Sequence, residues 1–291
     1  MLACGARTGL LVPTPTDAEV EPDIHHPEAG PDVVEEDAFP PLDATVHDVY
    51  TLDCPPETFI YVVATDDSLL RFDPPSATFT TIATLDCVPD RSSHPFSMAV
   101  DRKTTAYVEY DNGMIFQVST IDGTCQTTTY VPNQVPPFGN FGMGYATIGF
   151  GPAEQLFIAA DAPGELGTID TLATFAVSPV AVIQPQISWG ELTGTGDGRL
   201  YTYYSFGAIG GSFVAELDKT TGNIIGQDAL PDVDRGTGWA FAYWGGDFYI
   251  FTNPNAEQNT WHYSPATRQS TIVAHYSSPV VGAGVSTCAP Q

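Results

Sequence analysis

Residues 212–226, SFVAELDKTTGNIIG, read as a tight β-hairpin. An alternating apolar run ends at Leu217-Asp218, a Lys219-Thr220-Thr221-Gly222 turn follows, and the β-rich Asn223-Ile224-Ile225 leaves it. Laying the chain on itself finds weaker equivalents of Leu217-Asp218 at Phe72-Asp73, Val118-Ser119, Ile169-Asp170 and Tyr263-Ser264, spaced by 46, 51, 48 and 46 residues. Upstream of each lies a second run with an aromatic at a matching place: Tyr61, Tyr107, Phe157, Tyr201 and Tyr249, spaced by 46, 50, 44 and 48 residues. Two independent markers with one period in the forties, and about four short strands per unit, predict propeller blades.

A third marker is a run rich in small residues some ten positions before each aromatic, at 96–101, 146–151, 191–196 and 239–244. Innermost strands crowd around the propeller axis, where Gly, Ala and Ser let backbones approach. The first unit lacks such a run, and the missing copy stands at the other end of the chain as Val280–Val285. The last strand is therefore expected to complete the first blade, closing a five-bladed ring without free sheet edges. The fold class that follows is all-β, a five-bladed β-propeller over 49–291, preceded by a mature N-terminus at 1–11 and a linker at 12–48.

Composition agrees. Helical periodicity is absent, and Gly and Pro number 27 + 25 = 52 in 291 residues, 43% of which are hydrophobic. Nine Lys and Arg against 35 Asp and Glu leave a net charge of −26, which repels phosphate backbones and excludes nucleic acid as a natural partner. Between Pro13 and Asp48 lie seven Pro and eleven Asp or Glu with no Lys or Arg. Such a segment buries too little apolar surface to order itself, so a disordered, acidic, Pro-rich tether is expected. His25-His26 among these carboxylates is a weak metal candidate that a solvated linker explains much better, and no metal or other cofactor is expected.

The start, Met1-Leu2-Ala3-Cys4-Gly5, has neither a charged n-region nor a full apolar h-region. Its small and apolar residues before a Cys resemble the lipobox of bacterial lipoproteins, and Cys4–Leu10 resembles the mature start of lipoproteins from myxobacteria. The resemblance implies lipidation at Cys4, a signal peptide beginning upstream of Met1, and anchorage at the cell envelope, on the outer membrane or cell surface. An ordinary cytoplasmic start with a chance Cys is the other reading. Four Cys remain, an even number that favours disulfides in an exported chain, with three pairings open. Cys54 precedes the first aromatic strand and Cys288 follows the strand that closes the same blade, so Cys54–Cys288 is expected, leaving Cys87–Cys125. The turn Asp218-Lys219-Thr220-Thr221-Gly222 is similar to the D-x-x-T-G hairpin of quinoprotein-like and surface-layer propeller repeats. That similarity implies fold and no quinone. Without a D-x-D-x-D-G ladder, Asp73, Asp170 and Asp218 are expected to accept hydrogen bonds from their own turns rather than bind calcium.

Propeller ligands approach where loops enter the innermost strands. Those loops carry His94, Phe138, Phe141, Trp189, Arg235, Trp239 and His275, aromatic platforms mixed with polar groups that suit carbohydrate or peptide ligands. The turns after the aromatic strands share that face and contribute Asp66, Asp67, Asp111-Asn112, Asp161, Ser205 and Asn253. A carboxylate pair among Asp66, Asp67, Asp111 and Asp161 could act as acid and base on a glycan, although Asp and Asn are also good turn residues. No G-x-S-x-G occurs, and Gly194–Gly198 precedes a strand rather than the helix a phosphate site needs. The leading functional reading is a monomeric, lipid-anchored module that binds an envelope protein or glycan without chemistry. The alternatives are a glycan-active enzyme and a structural envelope protein with no small ligand.

Overall fold

The structure, a computed structural model, describes residues 39–45, 51–89, 91–161, 163–205 and 211–291. Cys4, the paired His25-His26 and most of the acidic linker lie outside them. Among the described residues twenty strands form five four-stranded antiparallel sheets. The first blade contains β1 (Ile60–Ala64), β2 (Ser68–Asp73) and β3 (Thr78–Thr84); the second β4 (Pro95–Val100), β5 (Thr105–Tyr110), β6 (Ile115–Ser119) and β7 (Cys125–Thr127). The third has β8 (Phe141–Thr147), β9 (Glu154–Ala160), β10 (Glu165–Ile169) and β11 (Val177–Val182). The fourth has β12 (Glu191–Gly194), β13 (Leu200–Ser205), β14 (Ser212–Leu217) and β15 (Ile224–Leu230), and the fifth β16 (Trp239–Trp244), β17 (Asp247–Thr252), β18 (Asn259–Ser264) and β19 (Gln269–His275). The final strand, β20 (Val280–Val285), pairs with β1 and completes the first blade, as its sequence predicts.

Side chains of a strand alternate between its two faces, and here each face packs on a neighbouring blade. Five apolar clusters result, one per blade interface. The periodic aromatics explain themselves in this frame. Tyr61 packs toward the second blade, Tyr107 toward the third, Phe157 toward the fourth, Tyr201 toward the fifth and Tyr249 back toward the first. Around the axis the inner strands touch in the order β20, β4, β8, β12, β16 and again β20.

In the opening hairpin Leu217 pairs with Ile224, and Asp218 Oδ1 accepts from Thr220 N (2.8 Å) and Thr221 N (3.1 Å), while Gly222 takes φ +72°. Asp170 likewise accepts from Leu172 N at 3.1 Å, and Asp73 from the Ser76 hydroxyl. These carboxylates cap their own turns.

Two boundaries differ from the sequence reading. The third inner strand is Phe141–Thr147 rather than 146–151, because Gly142 and Gly144 are the small residues that meet the neighbouring strand, whereas 148–153 turn in solvent. The second difference concerns the linker: residues 39–45 pack on the ring, with Leu42 buried, Phe39 against an apolar cluster and Pro40 O accepting from Gln227 N (2.9 Å). A strongly acidic average hides the apolar Phe39-Pro40-Pro41-Leu42 within it.

Both expected disulfides form, Cys54–Cys288 (Cα–Cα 5.6 Å) and Cys87–Cys125 (5.2 Å). The first ties the lead-in to β1 to the exit of β20. Nearby, Glu154 joins three blades: its carboxylate accepts from Arg102 N (2.7 Å) and Thr287 Oγ1 (2.9 Å). Burial pushes this carboxyl up to about 7 against those hydrogen bonds. A raised folded-state pKa gives stability that is complete below the unfolded value, near 4.5, and is lost as pH rises through about 7. Urea unfolding should therefore show about 2 kcal/mol less stability at pH 8 than at pH 5 from this group. Glu154→Gln, whose amide oxygen can still accept from Arg102 N and whose amide nitrogen can donate to Thr287 Oγ1, should remove that share of the slope, and an unchanged slope would show that the carboxyl titrates normally.

Candidate functional site

At the end of the ring where chains enter the inner strands, a hollow of about 570 Å³ opens over the axis. Trp189, Arg235 and Trp239, all expected on this face, line it together with Pro95, Phe96, Val281 and, at its floor, Glu191. Each wall has a local cause. Trp189 stands just before β12 with φ +58°, its backbone N donating to Asp161 O (3.1 Å), and its half-exposed indole meets Trp239 edge-to-face at 6.3 Å. The Arg235 guanidinium lies 4.3 Å above the Trp239 ring, a cation–π contact that fixes the indole plane. Behind it, Asn253 Oδ1 accepts from Thr237 N (2.8 Å) and Gly238 N (2.6 Å), pinning the loop that presents Arg235.

That pin recurs around the ring. Asp66 Oδ2 accepts from Ser278 Oγ at 2.6 Å, and Asp111 Oδ1 from the Ser93 hydroxyl and His94 N. In each case the turn after a blade's second strand holds the loop entering its first. Asp67 instead meets His94 Nδ1 (3.3 Å) and Arg91 Nη1 (3.5 Å). Asn112 Oδ1 caps its own turn by accepting from Met114 N (2.9 Å), and Ser205, on the matching turn of the fourth blade, is buried. Asp161 is raised by burial, opposed by the Trp189 backbone and by the charge of Arg235, and its Oδ1 is buried without a hydrogen bond.

The other aromatic and His candidates sit elsewhere. Phe138 and Phe141 are 0% and 1% exposed and fill the apolar cluster between the second and third blades, so no ligand reaches them. Phe141 is the first residue of β8 rather than a loop residue, a consequence of the displaced strand boundary. His275 ends the outermost strand of the fifth blade, with Nδ1 3.0 Å from Gln258 O, far from the axis in chain order. His94 is exposed beside Asp67 and does not line the hollow.

Two acids outside the sequence candidates stand inside the ring: Glu191, which lines the hollow, and Glu109, close enough to be coupled to it. Glu191, from the fourth blade's inner strand, reaches across to the second blade, where Ser97 Oγ donates to its Oε2 at 3.0 Å, and takes a backbone hydrogen bond from Met143 of the third. Glu109 Oε2 accepts from Phe141 N (3.2 Å), while Oε1 is buried without a partner. Burial raises both carboxyls well above the usual range, and for Glu109 the proximity of Glu191 adds to it. Both therefore favour the neutral acid, which can donate as well as accept. Their signal was visible, since each is a lone acid inside a strand of small or aromatic residues. Among the described residues no group of three His, Cys, Asp or Glu could hold a metal ion.

The hollow thus combines flat apolar faces, one fixed cation and a buried carboxyl that its surroundings push toward the neutral form. This set suits a ligand with an apolar face and hydrogen-bond acceptors.

No protein-family profile and no curated protein sequence matches the chain. Among solved structures, virginiamycin B lyase from Staphylococcus aureus superposes with TM-score 0.41 and 12% identity, over 73% of this chain and 68% of that one. TolB from Acinetobacter baumannii gives 0.41 and 11%, over 75% and 52%. A chain of the nidogen/laminin complex gives TM-score 0.51 and 10% identity over 79% of this chain and 98% of that one, a likeness that shows the β-propeller architecture and nothing of the ligand.

Proposed function

We propose that the protein is an exported, lipid-anchored binding module that takes an envelope glycan or protein segment in the hollow over its axis. The observation that carries this reading is the convergence of Trp189, Trp239 and Arg235, from two blades, on one cavity floored by the buried carboxyl of Glu191. Two disulfides in a chain of this kind belong to an oxidising compartment and support export. No helix among the described residues is long and apolar enough to cross a membrane. Attachment through Cys4 rests on its lipobox-like surroundings, and globomycin should then cause a larger precursor to accumulate in cells expressing the gene with its upstream region.

The binding test is a glycan and peptide array probed with the wild-type chain and with Trp239→Ala and Trp189→Ala. Loss of an aromatic platform should weaken a hit at least about tenfold, and unchanged binding would rule out the hollow. A glycan-active enzyme is the second reading, favoured by Glu191 at the cavity floor rather than by Asp66 and Asp111, whose carboxylates hold loops. Turnover in a hydrolysis screen that Glu191→Gln abolishes would establish it over binding alone.

A further inference from the structure

The four most exposed large apolar side chains include three at turn tips of one end of the ring. They are Phe150 (108%), Leu172 (94%) and Ile121 (88%), and Leu52 (66%) and Ile148 (41%) accompany them. Phe150 and Ile148 lie in the β8–β9 turn, Leu172 in the β10–β11 turn and Ile121 in the β6–β7 turn, all opposite the ligand hollow and all on the second and third blades. Short contacts join these turns. Arg102 Nη2 donates to Leu52 O (3.3 Å) and its backbone N to Glu154 at the end of the Phe150 turn. Thr120 Oγ1 donates to Thr104 O (2.6 Å), beside Arg102, and Tyr145 Oη to Thr171 Oγ1 (3.0 Å), beside Leu172.

We infer that this end of the ring rests on a lipid surface, with Phe150, Leu172, Ile121 and Leu52 inserted among the headgroups. The topography favours lipid over a folded partner. Phe150 stands between Gly149 and Gly151, where an added methyl group would meet nothing within 4 Å, so the turn projects into open space. Separate projecting tips suit a fluid interface, whereas a protein partner is met by a continuous patch. The acids beside the tips are engaged at home: Asp122 accepts from Thr124 N (3.0 Å) and Asp170 from Leu172 N (3.1 Å). A net charge of −26 opposes anionic headgroups, so the surface is zwitterionic.

The lead-in of the chain agrees with this orientation. Residues 51–59 enter β1 from this same end, and Leu42–Ala44 pack beside Arg199 and Gly246 in the matching turns of the fourth and fifth blades. Here the inference rests on the lipid-anchor reading. A lipid at Cys4 would hold Phe39 by the 34 residues between them, a span of up to about 120 Å, so the tether alone sets no orientation and the turn tips would. The hollow would then face away from the membrane.

The test uses the full chain with Cys4→Ser, which carries no lipid, so its outcome is independent of the globomycin result. In flotation with phosphatidylcholine vesicles at 0.5 M salt, the chain should rise with the vesicles. Phe150→Ser with Leu172→Ser, both at exposed sites, should lower partitioning about a hundredfold. No flotation, equal flotation of the double variant, or binding that needs phosphatidylglycerol and vanishes in salt would each overturn the inference. So would self-association by light scattering that the double variant abolishes while vesicles are ignored, because the occupant would then be a second copy of the chain.

Discussion

Replacing Cys54 and Cys288 together by serine should cost about 5 kcal/mol of unfolding free energy. The pair closes a loop with a sequence separation of 234 residues, nearly the whole ring, and chain-entropy stabilisation grows with loop length. Cys87–Cys125 spans only 38 residues and joins two neighbouring blades, so its removal should cost about 4 kcal/mol. The first bond also guards the one place where the ring is closed by non-consecutive strands. Here β20 meets β1, with Tyr61 opposite Gly284 and Val63 opposite Gly282. Loss of the bond should therefore show not only in the urea midpoint but in amide exchange, where β1 and β20 should open before the other blades. A cost under about 1 kcal/mol, or uniform exchange across the five blades, would mean that the β20–β1 pairing holds the ring unaided.

The second large effect belongs to the axis. Gly142→Ala should cost about 3 kcal/mol or more, because the added Cβ would stand 2.1 Å from Gly190 O and 2.7 Å from Glu191 Cα. Those are backbone atoms of the next inner strand, which cannot rotate away. Gly144, Gly194, Gly282 and Gly284 meet the adjoining inner strand in the same manner, so the crowding is a property of the ring. Gly211→Ala is the control, since nothing lies within 4 Å of its Cβ position. It should change stability by no more than about 0.5 kcal/mol. Thermal unfolding of the two variants decides the matter, and equal midpoints would show that the inner strands can move apart to admit a methyl group.

These two expectations also show how far the sequence could be read. Strand pairing and the disulfides were legible because they repeat or bracket a repeat. Tyr61, Tyr107, Phe157, Tyr201 and Tyr249 recur because each fills the same interblade layer, and a repeated environment selects a repeated residue. The hairpin turns kept Asp for the same reason, as Asp218 shows by capping Thr220 and Thr221. The site was harder. Trp189, Arg235 and Trp239 could be assigned to one face from loop positions alone and do line one hollow. Phe138 and Phe141 are expected in an equivalent loop yet are core, because Phe138 folds back over the interface between the second and third blades and Phe141 already begins β8.

Sequence by itself determined the number of blades and the strand that closes the ring, and that closure pointed to one of the three pairings of the four cysteines, which the structure then settled, since each is a relation between positions along the chain. Only the tertiary structure decided which side chains share the cavity and which carboxyls burial pushes toward the neutral form. A face of a propeller is assembled from five loops about 50 residues apart, and whether an aromatic there points to solvent or to a neighbour depends on packing across blades. Glu191 makes the distinction plainest. In the sequence it is one acid at the start of a small strand, and in the ring it is held by Ser97 and Met143 of two other blades at the floor of the hollow.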